Sequence, residues 1–298
     1  MEKERGKENQ SDSEIRNPYE SGNVNPPAKK QFPWLVTTLI VISWTLFIIS
    51  LYKNNCPAKR GDEKCLFSNI LGRFSFEIRR RNSQLGPSQA TLREMGGLKW
   101  EPEDRDTERW HIFTSIFLHS GLASLMINTI SILYQAIELE RTFGVVRIGL
   151  LYYLSGLGGS LWILYKFHGA VYVGAPAAVS GISGAVFSDL IINWKLHEKK
   201  FKKFLLAFLV VGINSVTGLN PPIHLPAFYG GIWVGFLLGF IFLIREQAEQ
   251  AGVEYVRDGY TPKQLIYKYT RYQFVLWFIL LVVLIIGFVL GFVTVLMR

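Results

Sequence analysis

The sequence predicts an all-α membrane protein that crosses its bilayer several times, and three observations carry that class. Of its 298 residues, 49% are apolar and only 18% charged, and 42 are Phe, Tyr or Trp. Mean hydropathy is +0.22. The apolar residues come in long blocks rather than at the period of a half-buried soluble helix. Together these exclude an ordinary soluble enzyme, a disordered tail protein and a small disulfide-framework protein.

The elements follow in order. Residues 1–33 hold six acidic and six basic groups with little apolar content, so they read as a disordered cytosolic tail. Their acidic groups also argue against an organelle presequence, and no short apolar run with a cleavage site begins the chain. Trp34 to Tyr52 is nearly uncharged and long enough for a helix to cross about 30 Å of hydrocarbon. A long polar loop, 53–109, is too charged to enter lipid. Further spans are expected at 112–137, 145–165, 174–194, 204–219, 227–244 and 274–297. Gly, Ser and Pro interrupt several of them, which a bundle tolerates where neighbouring helices cover the backbone.

The formal charge of +9 has an address. Lys195, Lys199, Lys200, Lys202 and Lys203 fall in one short loop, and Arg245, Arg257, Lys263, Lys268 and Arg271 in another. The alternate short loops carry almost no Lys or Arg. The positive-inside rule then puts the basic loops and the N-terminus in the cytosol and the C-terminus outside. The charge reads as topology, and no nucleic-acid partner is expected. Cys56 and Cys65 lie nine positions apart in the first loop, on the non-cytosolic side, where they can close a disulfide or remain two free thiols. A disulfide places the chain in a secretory-pathway membrane: endoplasmic reticulum, Golgi or plasma membrane. Two thiols without a neighbouring His do not make a metal site, and no cofactor is expected.

Three ordered segments carry a family pattern. The first runs Trp110-His111-Ile112-Phe113-Thr114-Ser115-Ile116-Phe117-Leu118-His119-Ser120-Gly121-Leu122, then Asn128, Leu139-Glu140 and Phe143-Gly144. The second is Val173-Gly174-Ala175-Pro176-Ala177-Ala178-Val179, continuing to Gly181, Gly184 and Ala185. The third is Ala227-Phe228-Tyr229-Gly230-Gly231 with Gly235 to Phe240. Over residues 34–297 the chain resembles the rhomboid intramembrane serine proteases. The first loop, with Gly72-Arg73-Phe74-Ser75-Phe76 and Leu85-Gly86-Pro87-Ser88, looks like the plant branch. The resemblance implies a rhomboid-like six-helix bundle plus a seventh C-terminal transmembrane helix.

It also implies a Ser–His dyad, in which a serine opening the fourth span attacks a peptide carbonyl and a histidine on the sixth takes its proton. Here the family's G-A-S-G falls on Gly174-Ala175-Pro176-Ala177, and its A-H-x-G-G on Ala227-Phe228-Tyr229-Gly230-Gly231. The nucleophile position is Pro176 and the base position Phe228. Neither side chain can do the chemistry its position requires. Of the groups that would hold an oxyanion, Gly174 and Asn128 are present, but the histidine expected four residues before Asn128 is Ser124. The family's Trp-Arg pair reads Trp110-His111.

Three other residues compete for the lost roles. Ser183 sits in Gly181-Ile182-Ser183-Gly184, about two helical turns beyond Pro176, and reads as part of a packing motif. Ser180, one turn beyond Pro176, reads as a hydroxyl bonded back to a helix carbonyl. His224 precedes Pro226, which should end any helix there, so it reads as a loop histidine. His119 reads as structural. Small residues at Ala177, Gly181 and Ala185, and at Gly231, Gly235 and Gly239, suit close helix contact in lipid.

The leading reading is a catalytically degenerate, inactive rhomboid-like protein that binds transmembrane clients, in a groove between the second and fifth spans, and affects their trafficking, retention or quality control. The alternative is a rhomboid-type protease with residual activity from a displaced serine. Transport is disfavoured, because the ionisable groups within the spans, Arg147 and Asp189, lie near the cytosolic ends.

Overall fold

A computed structural model describes residues 32–60, 65–99, 110–166, 171–197, 199–218, 224–245, 247–250, 265–268 and 271–297. The acidic-basic tail up to residue 31 and the cations Arg257 and Lys263 lie outside the described residues.

Seven long helices dominate the described residues: α1 (Trp34–Asn54), α2 (Leu122–Phe143), α3 (Val145–Lys166), α4 (Ala175–Ile192), α5 (Lys200–Gly218), α6 (His224–Phe242) and α7 (Arg271–Met297). The strands are short: β1 (Cys65–Leu66) pairs antiparallel with β2 (Phe76–Glu77), and β3 (Gln247–Gln250) with β4 (Leu265–Lys268). Helices α1, α2, α4, α6 and α7 are long and apolar enough to cross a membrane. This is an all-α membrane protein.

Helix α4 is the axis of the bundle. Fourteen of its eighteen residues are buried, so it is surrounded by protein rather than by lipid. Its small residues decide how closely neighbours approach. A Cβ added at Gly235 of α6 would collide with the backbone of Gly181, and one at Gly184 with the carbonyl of Ile232. On the other side Gly156 of α3 leaves room for Ala178, and Ser155 packs onto Gly181. The small-residue faces of α4 and α6 therefore meet backbone to backbone, where packing supplies the attraction that water cannot. Helix α7 is the opposite case: Phe274, Phe278, Ile285 and Val289 are all exposed, and it touches α3 and α6 through residues such as Leu284 and Gly291.

Helix α1 begins after Pro33, a residue with no side chain to cap the free N–H groups of its first turn. Glu140 of α2 supplies the cap. Its two carboxylate oxygens accept the N–H groups of Leu35 and Val36, each at 2.9 Å, and the residue is 4% exposed. Between α2 and α3 the chain turns at a single residue, Gly144, whose φ of +87° suits glycine.

Three expectations need correction. The apolar run at 112–121 does not extend the second span. It forms a short helix (His111–Thr114) and a 3-10 turn (Ser115–Phe117), and α2 starts only at Leu122. Ile112, Ile116 and Leu118 are buried there against protein, so hydrophobicity reports burial rather than crossing. The basic segment after α4 is partly helical, since α5 begins at Lys200; lysine stems continue a helix and carry their charge outward. His224 is the first residue of α6, not a loop residue. Pro226 lies in the first turn, where its missing N–H has no helical partner to lose.

Candidate functional site

Chain direction puts the first turns of α4 and α6 at the same end of the bundle, and their small residues draw them together. Pro176 is the second residue of α4 and half-buried; Phe228, in the second turn of α6, is 3% exposed. One turn beyond Pro176, the Ser180 hydroxyl lies 2.7 Å from the carbonyl of Phe228 and 2.8 Å from that of Ala177. A hydroxyl has one proton to donate and shares it between two carbonyls here. Neither acceptor is a base. Ser180 therefore ties the two helices together at this end.

Ser183, 2% exposed, donates to Oε1 of Gln135 on α2 at 2.7 Å. An amide oxygen orients a hydroxyl but does not take its proton. The histidine proposed as a displaced base, His224, begins α6 one turn before Phe228.

The groups expected to hold an oxyanion have partners within the protein. The Gly174 N–H donates to the carbonyl of Ser115 at 2.7 Å, and Asn128 Nδ2 lies 3.4 Å from Ser124 Oγ with both residues buried. Pro176 adds a second loss, because proline has no backbone N–H to offer an anion. His119 stands in the turn ahead of α2, 5% exposed. Burial pushes its imidazole down to about 4, opposed by a hydrogen bond to the backbone of Phe117, so it is neutral at physiological pH. Trp110 is 55% exposed and stacks edgewise on buried His111 at 4.3 Å between ring centres.

Above this end the first loop is folded, not merely polar. Cys56 and Cys65 are joined, with sulfurs 1.94 Å apart and Cα atoms 6.0 Å apart. Asn54, fully buried at the end of α1, accepts from the Ser88 N–H and the Thr91 hydroxyl and donates to Glu77. Among the described residues no group of three His, Cys, Asp or Glu side chains is arranged to hold a metal.

Sequence reasoning did not single out the polar face of α2. Ser124, Asn128, Ser131, Gln135 and Glu138 recur at alternating steps of four and three, which stacks them along one side of the helix. Ser131 accepts from Asn214 Nδ2 of α5 at 2.8 Å, and Glu138 pairs with Lys203 of α5. That spacing was readable, but their partners are far away in sequence. Polar ties between α2 and α5 thus cross the face between the second and fifth spans.

These features define a class: an all-α membrane protein with a central, closely packed helix pair whose N-terminal ends lie together and carry Pro176 and Phe228. A model of the rhomboid domain matches residues 106–245. Among relatives in Arabidopsis thaliana, RHOMBOID-like protein 5 is 38% identical over 264 residues, 85% of this chain and 84% of that protein. RHOMBOID-like protein 1 is 40% identical over 251 residues, 84% of this chain and 64% of its own length. Inactive RHOMBOID-like protein 8 is 37% identical over 221 residues, 74% of this chain and 62% of its own length. The chain belongs to the rhomboid family, among relatives of its plant branch, and spans somewhat under two-thirds of the length of RHOMBOID-like proteins 1 and 4.

Proposed function

We propose that this chain is a rhomboid-like pseudoprotease that binds transmembrane segments of client membrane proteins and affects their trafficking or quality control. One observation carries the reading: the position of the nucleophile is Pro176 and that of the base is Phe228, while Ser180, one turn beyond Pro176, is held by the Phe228 carbonyl. Losing both partners removes the dyad mechanism rather than weakening it. A relative of comparable identity carries the word inactive in its name, which supports the same reading. The tight α4–α6 pair favours retention of the scaffold for binding after the chemistry is gone. The client groove is the face between α2 and α5. The joined cysteines and the basic short loops support a secretory-pathway membrane with the N-terminus in the cytosol.

A serine-reactive fluorophosphonate probe on the purified full chain tests the inactive half. No serine is expected to label, and labelling that disappears on Ser180→Ala or Ser183→Ala overturns it in favour of a displaced-serine protease. Photo-crosslinkers at exposed Ile130 of α2 and Phe208 of α5 test the binding half in native membranes. They are expected to capture transmembrane segments more than a crosslinker at Ile285 of α7, and equal capture at the three positions refutes the groove.

A further inference from the structure

A cavity of about 470 Å³ opens at the other end of the bundle, between α2, α4 and α5, far from Pro176 along the helices. Its lining is of two kinds. Leu133, Leu139, Val186 and Leu206 form apolar walls, with Leu133 and Tyr134 about half exposed on the outer face of α2. Lys199, Lys202, Lys203 and Arg245 also line it, against two carboxylates, Glu138 and Asp189.

Those carboxylates are already taken. Glu138 pairs with Lys203, while Asp189 accepts from Asn193 Nδ2 at 2.7 Å and lies 3.0 Å from His197. Among the described lining residues, Lys199, Lys202 and Arg245 are left as an excess of positive charge. Among the described residues, two further donors in the lining lack a hydrogen-bond partner: Nε2 of Gln135, a residue 6% exposed, and Nε of Arg245, whose guanidinium lies over the Phe143 ring. Buried donors without acceptors are costly, so the cavity is incomplete without an acceptor.

We infer that this cavity binds the phosphate of an anionic membrane lipid, with the headgroup at Lys199, Lys202 and Arg245 and an acyl chain along the leucine walls. A lipid fits better than free phosphate because cationic and apolar linings share one opening at the level of the helix ends, as an amphiphile requires. Basic pockets between transmembrane helices are common sites for such headgroups. The site rests on its own lining and does not depend on the client-binding reading. It would, however, brace α2 against α5 beside the Glu138–Lys203 pair.

The test is titration of the detergent-purified full chain with dioctanoyl phosphatidic acid, followed by native mass spectrometry, with dioctanoyl phosphatidylcholine and inorganic phosphate as separate arms. Saturable binding of phosphatidic acid is expected, with none for phosphatidylcholine. The Lys199→Ala/Lys202→Ala variant is expected to raise the apparent Kd at least about tenfold, and Lys202→Ala alone about fivefold. Lys53→Ala, at the opposite end, is expected to leave it unchanged. Equal binding of both lipids, or an unaltered Kd in both lysine variants, overturns the site. Displacement of phosphatidic acid by inorganic phosphate at comparable concentration overturns the assignment to a lipid.

Discussion

Two interfaces within one bundle are built on opposite principles. Between α4 and α6 the contact is made of backbone: Gly181, Gly184, Gly231 and Gly235 bring the chains so close that no Cβ fits between them. Between α2 and α5 it is made of a few side chains, Asn214 to Ser131 and Lys203 to Glu138, with large apolar groups such as Ile130 and Phe208 facing outward beside them. The first kind cannot be traded for another partner, since nothing else presents the same shape. The second can, because an incoming helix with a polar residue offers equivalent hydrogen bonds. A protease needs both, one to align its dyad and one to admit substrate. In this chain the first joins α4 to α6 at the end that carries Pro176 and Phe228, and the second is the face proposed for clients.

The comparison breaks most visibly at Gly235. Gly235→Leu drives a side chain into the Gly181 backbone, and a destabilisation of more than about 3 kcal/mol is expected, read as loss of a monodisperse peak in size-exclusion chromatography. Gly287→Ala on lipid-facing α7, where an added Cβ meets nothing within 4 Å, is the matched control and should run as wild type.

Next in size is Glu140→Ala, which strips two charge-assisted bonds from the start of α1. It should cost about 2 to 3 kcal/mol in thermal unfolding, and an unchanged Tm would mean that α1 is held by packing alone.

Smallest is Asn214→Leu, which removes one tie between α2 and α5. About 1 kcal/mol is expected, together with stronger client capture at Ile130. A loss as large as that of Gly235→Leu would abolish the distinction between the two interfaces.

Much of the bundle was legible in composition, because a residue facing lipid and one facing a helix in lipid are both apolar. That same ambiguity caused the clearest misreading. The run at 112–121 looks like the start of a span, yet Ile116 is fully buried beneath α3 and α4 and the chain turns before entering α2. Hydropathy cannot separate a segment buried by protein from one buried by lipid. Pro226 misled for a related reason: proline ends a helix only when its N–H would have had a partner, and in the first turn of α6 it would not. Pro176 and Phe228 were legible too, since each stands in a short run of small residues whose spacing is read directly along the chain.

What the sequence determined by itself was the class of protein, the arrangement of its charge, and the presence of Pro176 and Phe228, two side chains that carry neither nucleophile nor base. These are local properties: hydropathy, the sign of a side chain, and whether it carries a nucleophile or a base. Tertiary structure alone decided what the remaining polar groups do. Ser180 is held by the Phe228 carbonyl, Ser183 by Gln135, the free N–H groups of α1 by Glu140, and the unspent donors of Gln135 and Arg245 line one cavity. Each of these pairings joins residues far apart in the chain, and in a low-dielectric bundle a polar group takes its role from whichever partner the fold brings within hydrogen-bond reach.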